Sequence, residues 1–180
     1  DARRLDEAAI QAYAYISEWF HKGLPVTFDV EPRLGVVTRS VAMAERDGAS
    51  VGWVTLSRSY DTGVEDLWDA LTTPRRLRRW FLPVSGELRL GGRYQFEGNA
   101  GGTITACEPP RRLDATWEFG GGTSWVELRI EPEGEGRARP TLAHIAPIDG
   151  HWRIYGPGAT GVGWDLGLLG LALHLTDPEG

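Results

Sequence analysis

His144 is the polar side chain with the most chemical promise in this sequence. It lies in Thr141-Leu142-Ala143-His144-Ile145, where strand alternation puts it on the same face as Leu142. A buried imidazole needs hydrogen-bond partners. It could orient a ligand carbonyl or hydroxyl, act as a general base, or be a core histidine satisfied by the backbone. His151 and Asp149 follow closely, but zinc requires three or four converging ligands. The intervening Ala146-Pro147-Ile148-Asp149 reads as a loop with no fourth candidate, so neither a metal nor another cofactor is expected. Cys107 has no neighbouring group that would mark a nucleophile, and alternation turns it away from the inward face. Its expected role is structural. Glu118, Glu127 and Glu131 fall on the opposite strand faces, which does not support paired-carboxylate catalysis.

The second chemical resource is aromatic. Eight tryptophans are present, and Trp80, Phe81, Tyr94, Phe96, Trp117, Phe119, Trp152 and Trp164, with Leu142, His144 and Leu168, are candidates to line an apolar ligand cavity. The competing reading is a core filled by the same rings. The apolar segment Gly161–Leu175 carries Gly161, Gly163, Gly167 and Gly170, which leave room beside a helix for a cavity or for close sheet contact. Arg75, Arg76, Arg78 and Arg79 surround Leu77 and Trp80 and read as the solvated side of a short amphipathic helix. The glycine runs at 91–92, 98–102 and 120–122 have hairpin spacing and lack the helix and lysine of a phosphate loop.

The elements that must position these residues are mostly strands. Apolar residues at Leu5, Ala8, Ala9, Ala12, Ile16, Trp19 and Phe20 predict an amphipathic helix over 5–20, stopped by Gly23 and Pro25. A linker follows to about residue 35, with a short edge strand at Val26-Phe28-Val30 as the alternative. Val36–Met43 and Val51–Tyr60 around Asp47-Gly48 predict a hairpin. A helix is expected over 63–71, capped by Asp61 or Thr62, with Val64, Leu67, Trp68 and Leu71 inward. A second helix starts at Pro74. Strands are expected at 84–90, 93–98, 101–108, 112–119, 123–131 and 137–146, with Pro140 marking an edge or a bulge. Their inward sets are Tyr94 and Phe96; Leu113, Ala115, Trp117 and Phe119; Val126, Leu128 and Ile130; Leu142 and His144. A terminal helix of about 15 residues then packs on the sheet, and the fold class is α+β.

Composition narrows the function classes. A formal charge of −6 argues against nucleic-acid binding, which rests on surplus lysine and arginine. Only one of the 19 basic residues is lysine, which reads as coding bias. A lone cysteine excludes an intrachain disulfide, and the apolar terminal segment is shorter than the ~20 residues of a bilayer span. A cytoplasmic protein without a membrane span is expected.

Three segments carry a family resemblance: VTLSRSY at 54–60, VEDLWDALTTPRRLRRWFLP at 64–83, and LRLGGRYQFEGNAGGTITACEPPRRLDATWEF at 88–119. Together they resemble the SRPBCC, or START-like, superfamily, and within it the AHSA-type branch related to the activator of the ninety-kilodalton heat-shock chaperone ATPase. The likeness covers residues 36–175 and leaves 1–35 without a counterpart. It implies a helix-grip fold, in which a curved antiparallel sheet wraps a long C-terminal helix, with two short helices after the first strands. The expected organisation is an N-terminal helix and linker over 1–35 and a helix-grip domain over 36–180. The superfamily includes lipid carriers, cyclases and chaperone activators. The first functional expectation is therefore binding of a small hydrophobic or aromatic molecule between sheet and helix. A chaperone-binding module and a cyclase or dehydratase using His144 in the same pocket are the alternatives. The N-terminal helix is compatible with a homodimer or with a lid.

Overall fold

The computed structural model describes residues 35–177. The helix expected over 5–20 and the linker or edge strand after it lie outside the described residues. Eight strands form one antiparallel sheet: β1 Thr38–Arg46, β2 Ala49–Ser57, β3 Val84–Gly86, β4 Arg93–Phe96, β5 Gly101–Glu108, β6 Arg112–Phe119, β7 Gly122–Pro132 and β8 Ala138–Pro147. Their order across the sheet is β1-β2-β8-β7-β6-β5-β4-β3. Two short helices, α1 Val64–Thr72 and α2 Pro74–Trp80, follow β2, and a long helix, α3 Gly150–Thr176, ends the domain. This is the helix-grip arrangement.

Local chemistry explains most boundaries. Asp47 and Gly48 both have positive φ, 51° and 77°, as a two-residue hairpin turn requires. β3 and β4 are shorter than their alternation predicts. Gly86, at φ 97°, sits so close to the Arg93 carbonyl that a Cβ would overlap it, and β3 ends there. The α1 cap is Gly63 rather than Asp61 or Thr62; the Thr62 hydroxyl instead donates to Asp66 Oδ2 at 2.6 Å. Val64, Leu67 and Ala70 are buried in α1, while Trp68 and Leu71 are half-buried. Pro140 lies in an interior strand, not at an edge. The β2–β8 ladder runs from Val51↔Pro147 to Ser57↔Thr141, lapses opposite Pro140, and resumes as a Tyr60↔Ala138 bridge. The missing N–H is therefore not needed on that side.

A register shift in β5 between Ile104 and Ala106 overturns the expectation for Cys107. The irregularity reverses the alternation, so Cys107 pairs with Leu113 and packs against the core. Arg76 is likewise not solvated. Its guanidinium reaches Asp66 at 2.6 Å and Asp69 at 3.2 Å, and its Nε–H donates to His174 Nε2 at 3.1 Å.

α3 is far longer than predicted. It begins at Gly150, with the Asp149 carboxylate accepting from the Trp152 amide at 3.0 Å, so the segment expected to be a loop is a strand end and a helix cap. Gly156, at φ 64° and ψ −170°, interrupts the helical backbone just before Pro157. The core has two parts. The larger gathers α1, α2, β4–β7 and the end of α3 through Leu67, Leu77, Trp80, Phe96, Ile104 and Leu171. The smaller holds Val37, Val54, Leu56, Trp152 and Leu168 between β2 and α3.

Candidate functional site

Where α3 crosses the middle of the sheet, the side chains between them are aromatic. Phe81 stacks on Trp164 with centroids 5.8 Å apart and planes at 12°, and meets Phe96 edge-on at 5.1 Å. Trp117 tilts against Trp164 at 5.3 Å and against Phe96 at 5.7 Å. Trp80 and Tyr94 continue the seam at either side, 5.6 Å from Phe81 and 5.5 Å from Phe96. Separations of this size suit tilted and offset ring pairs. Gly167 faces this seam: a Cβ there would lie 3.7 Å from the Phe81 ring and 4.0 Å from Trp80. Both are ordinary van der Waals separations, so α3 packs directly on the end of α2 at this point.

The predicted site residues divide by depth. Trp80, Tyr94 and Phe96 are buried and form the floor. Phe81, Trp117 and Trp164 are half-buried and face outward along the same seam. Trp152 and Leu168 belong to the smaller core beside β2, and Leu142 is buried on β8 two residues before His144. Phe119 is not brought in. It is 41% exposed, because it pairs with Gly122 at the open end of the β6–β7 hairpin, where no side chain covers it. It lines instead an open depression of about 260 Å³ formed by Glu118–Thr123.

His144 sits at the centre of a chain of hydrogen bonds whose direction is fixed. The Trp164 indole N–H can only donate, and it reaches His144 Nδ1 at 3.0 Å. The imidazole is therefore protonated on Nε2, which donates to the Ser124 hydroxyl at 2.9 Å. Ser124 in turn donates to the Trp117 carbonyl at 3.1 Å. Burial pushes the His144 pKa down to about 4, so the ring is neutral at physiological pH. Both ring nitrogens are engaged within the protein. A general base needs a free lone pair, and His144 has given its own to Trp164. The ring's chemistry here is to fasten the helix to β8 and, through Ser124, to β7.

Ser124 was not among the residues singled out from the sequence, although the signal was present. It precedes Val126, Leu128 and Ile130 on the inward face of β7, a small polar residue in an apolar series. Three further fasteners of α3 were also missed. The Tyr60 hydroxyl donates to the Leu168 carbonyl at 2.8 Å, and burial raises its pKa far above the ordinary phenol range. Arg39 pairs with Asp165 at 2.8 Å, and Arg76 bonds His174. The Arg76 Nε–H can only donate, so His174 Nε2 is the acceptor, and burial, then the Arg76 and Arg79 charges, push the His174 pKa down.

The polar handles of the seam's buried floor are satisfied internally. Tyr94 donates to the Thr116 carbonyl at 2.7 Å and Trp80 to the Ala70 carbonyl at 3.0 Å. No seam ring has a charged side chain among its described ring contacts. The carboxylates sit elsewhere. Asp114 takes both Arg112 and Arg129 on the far face of the sheet, and Glu127 pairs with Arg46 at 3.3 Å. Among the described residues no group of three His, Cys, Asp or Glu side chains is placed to hold a metal ion, and no helix is long and apolar enough to cross a membrane.

Comparison with solved structures places this geometry among relatives. CalU16 from Micromonospora echinospora is 32% identical, with a TM-score of 0.67, over 77% of this chain and 83% of its own. MLL2253 from Mesorhizobium loti (22% identity, TM-score 0.60, 69% of this chain and 96% of its own) shares the fold. So does DynU16, a protein of the dynemicin biosynthetic locus, at 24% identity and TM-score 0.59 over 70% of this chain and 48% of its own. No functionally curated protein matches the chain. The profile described as activator of Hsp90 ATPase homolog 1-like protein matches residues 61–171, spanning α1 through most of α3. By that match and the likeness to CalU16, the chain belongs to the activator of Hsp90 ATPase homolog 1-like family.

Proposed function

We propose that the protein binds a neutral, flat, aromatic or polycyclic small molecule in the seam between α3 and the sheet. The observation that carries this reading is the half-buried set Phe81, Trp117 and Trp164, in which Phe81 stacks on Trp164 and Trp117 tilts against it beside a buried aromatic floor. A guest sliding against these rings gains stacking and apolar burial without desolvating any charge. A fatty acid suits the seam less well, because among the described residues the arginine–ring pairs lie at Trp125 and Tyr60, so its carboxylate would find no cation over the seam rings. The saturated state of His144 supports a binding role over a cyclase or dehydratase that would use it as acid or base.

The test is a titration with anthraquinone and with palmitate, read by quenching of tryptophan fluorescence and by native mass spectrometry. The aromatic probe is expected to bind with micromolar affinity and palmitate much more weakly. Phe81→Ala is expected to weaken the aromatic probe about tenfold, the equivalent of one lost stacking contact. Absence of binding, or binding indifferent to Phe81→Ala and Trp117→Ala, overturns the proposal.

A further inference from the structure

The two edges of the sheet are guarded differently. β3 is three residues long, whereas β1 runs nine residues beside β2 in unbroken register and contains no proline, lysine or bulge. Shortness, bulges, lysines and prolines are what keep natural edge strands from pairing with another chain. Among the described residues no strand pairs with the outer side of β1. The hydrogen-bond phase of that side follows from the neighbouring ladder. The Ile148 amide donates to the Ser50 carbonyl at 3.0 Å, so even-numbered residues of β2 turn their peptide groups to β8 and odd-numbered ones to β1. Through the Arg46↔Ala49 register, the even-numbered residues of β1 bond β2, and the peptide groups of Arg39, Val41, Met43 and Glu45 point outward from the edge. The same four side chains share the helix-facing side, since Val41 and Met43 lie opposite Val54 and Gly52. Gly52 in turn faces the Trp152 ring so closely that a Cβ would overlap it, which places α3 over β2 and leaves β1 beyond it. Val41 is 54% exposed and Met43 76%.

We infer that β1 pairs antiparallel with β1 of a second copy of this chain, about a two-fold axis through Ala42. Outward peptide groups must meet outward ones, so the axis passes through a residue and not between two. At Ala42 the strand is complementary to itself. Arg39 falls opposite Glu45 of the second copy and Val41 opposite its Met43, and the two-fold repeats both pairs. An axis at Val41 would set Arg39 against methionine, and one at Met43 would set Val41 against Glu45. Glu45 is exposed and enters no ion pair among the described residues, while the Arg39 side chain stays 40% exposed beside Asp165. Because odd residues oppose odd ones, the helix-facing sides of the two sheets coincide. The two valines and two methionines then close over one another beside α3, taking from water the apolar groups that β1 exposes. On the opposite side the row Trp125, Ile145, Trp53 and Ala42 continues into the same row of the second copy. Nine residues a side is fewer than the roughly 20–30 of a standard interface, so the dimer is a weak one, in the micromolar range. This pairing does not depend on any guest in the aromatic seam.

Sedimentation velocity of the full chain from about 1 to 300 μM, together with cysteine cross-linking, tests the inference. The wild type is expected to pass from monomer to dimer over that range. Glu45→Arg sets like charges opposite Arg39 at both ends of the pairing and is expected to raise the dissociation constant at least about tenfold. Glu45 is exposed and outside the two cores, so the substitution leaves the fold itself intact. Ala42→Cys puts two thiols on the axis, at a Cα separation of about 4.5 Å that a disulfide accepts. Ser40→Cys is the control, its two sites lying about 14 Å apart along the paired strands. Under mild oxidation Ala42→Cys is expected to form covalent dimer at least about tenfold faster than Ser40→Cys, above the background that Cys107 sets in the wild type. A monomer at every concentration, equal cross-linking at the two sites, or a dimer indifferent to Glu45→Arg overturns the inference.

Discussion

Replacing His144 by asparagine should make the protein less stable at neutral pH and, relative to the wild type, progressively better off in mild acid. The His144 pKa is about 4 when folded, against 6.5 for the free side chain. The unfolded chain thus binds the proton more readily, and stability falls as pH drops from about 6.5 towards 4. Near pH 5 the unfolded state is favoured by a factor of about 30 from this one group, or about 2 kcal/mol. The asparagine side chain would keep an oxygen acceptor for the Trp164 indole and would not titrate. The variant loses some of the Ser124 bond and some packing, costing about 1–2 kcal/mol above pH 7. Between pH 8 and pH 5 the gap between the two proteins should therefore close by about 2 kcal/mol. Because His174 is present in both, its own depressed pKa cancels from the difference. Urea denaturation at several pH values measures that gap; in thermal melts it amounts to roughly 4–8 °C for a domain of this size. Wild-type and variant curves that stay parallel across the range would refute the argument that a buried neutral imidazole fastens the helix.

Other perturbations reach the remaining fasteners. Trp164→Phe keeps a ring beside Phe81 but leaves His144 Nδ1 buried without its donor, and should cost about 1–3 kcal/mol in denaturant titrations. Gly52→Ala should displace the Trp152 ring and destabilise by about 1–3 kcal/mol, with a red shift in tryptophan emission. Asp114→Asn leaves Arg112 and Arg129 facing each other across the sheet. It should lower stability by about 1–2 kcal/mol, with most of the loss removed by molar salt, since both arginines are partly exposed.

The strand series was legible because each inward face repeats with period two, and Tyr94, Phe96, Ala115, Val126, Leu128, Ile130, Leu142 and His144 all lie buried as alternation predicts. Alternation failed at Cys107 because a bulge inserts one residue, and no composition signal in Gly101–Glu108 announces it. It overreached at Phe119 because face is a local property and cover is a tertiary one. α3 outruns the expected stretch of about 15 residues because the chain continues through Gly156 and Pro157 as a bend instead of ending there. The roles of Arg76, Tyr60 and Asp165 depend on partners 98 to 126 residues away, and no spacing rule reports those. The aromatic candidates could be gathered from type and alternation. The proton order that disarms His144 could not, since it depends on an indole 20 residues away on another element.

The bend in α3 divides its attachments unequally. Beyond it, Trp164, Asp165, Leu168 and His174 fasten the rod to the sheet and the short helices, whereas before it Trp152 sits in the smaller core over Gly52. The Gly156 torsions belong to a region that is essentially glycine-only, and Pro157 removes a rung from the helical ladder. The bend thus lets one element serve both cores: the first rod seats Trp152 beside β2, and the second carries Trp164 and Leu171 over the aromatic floor.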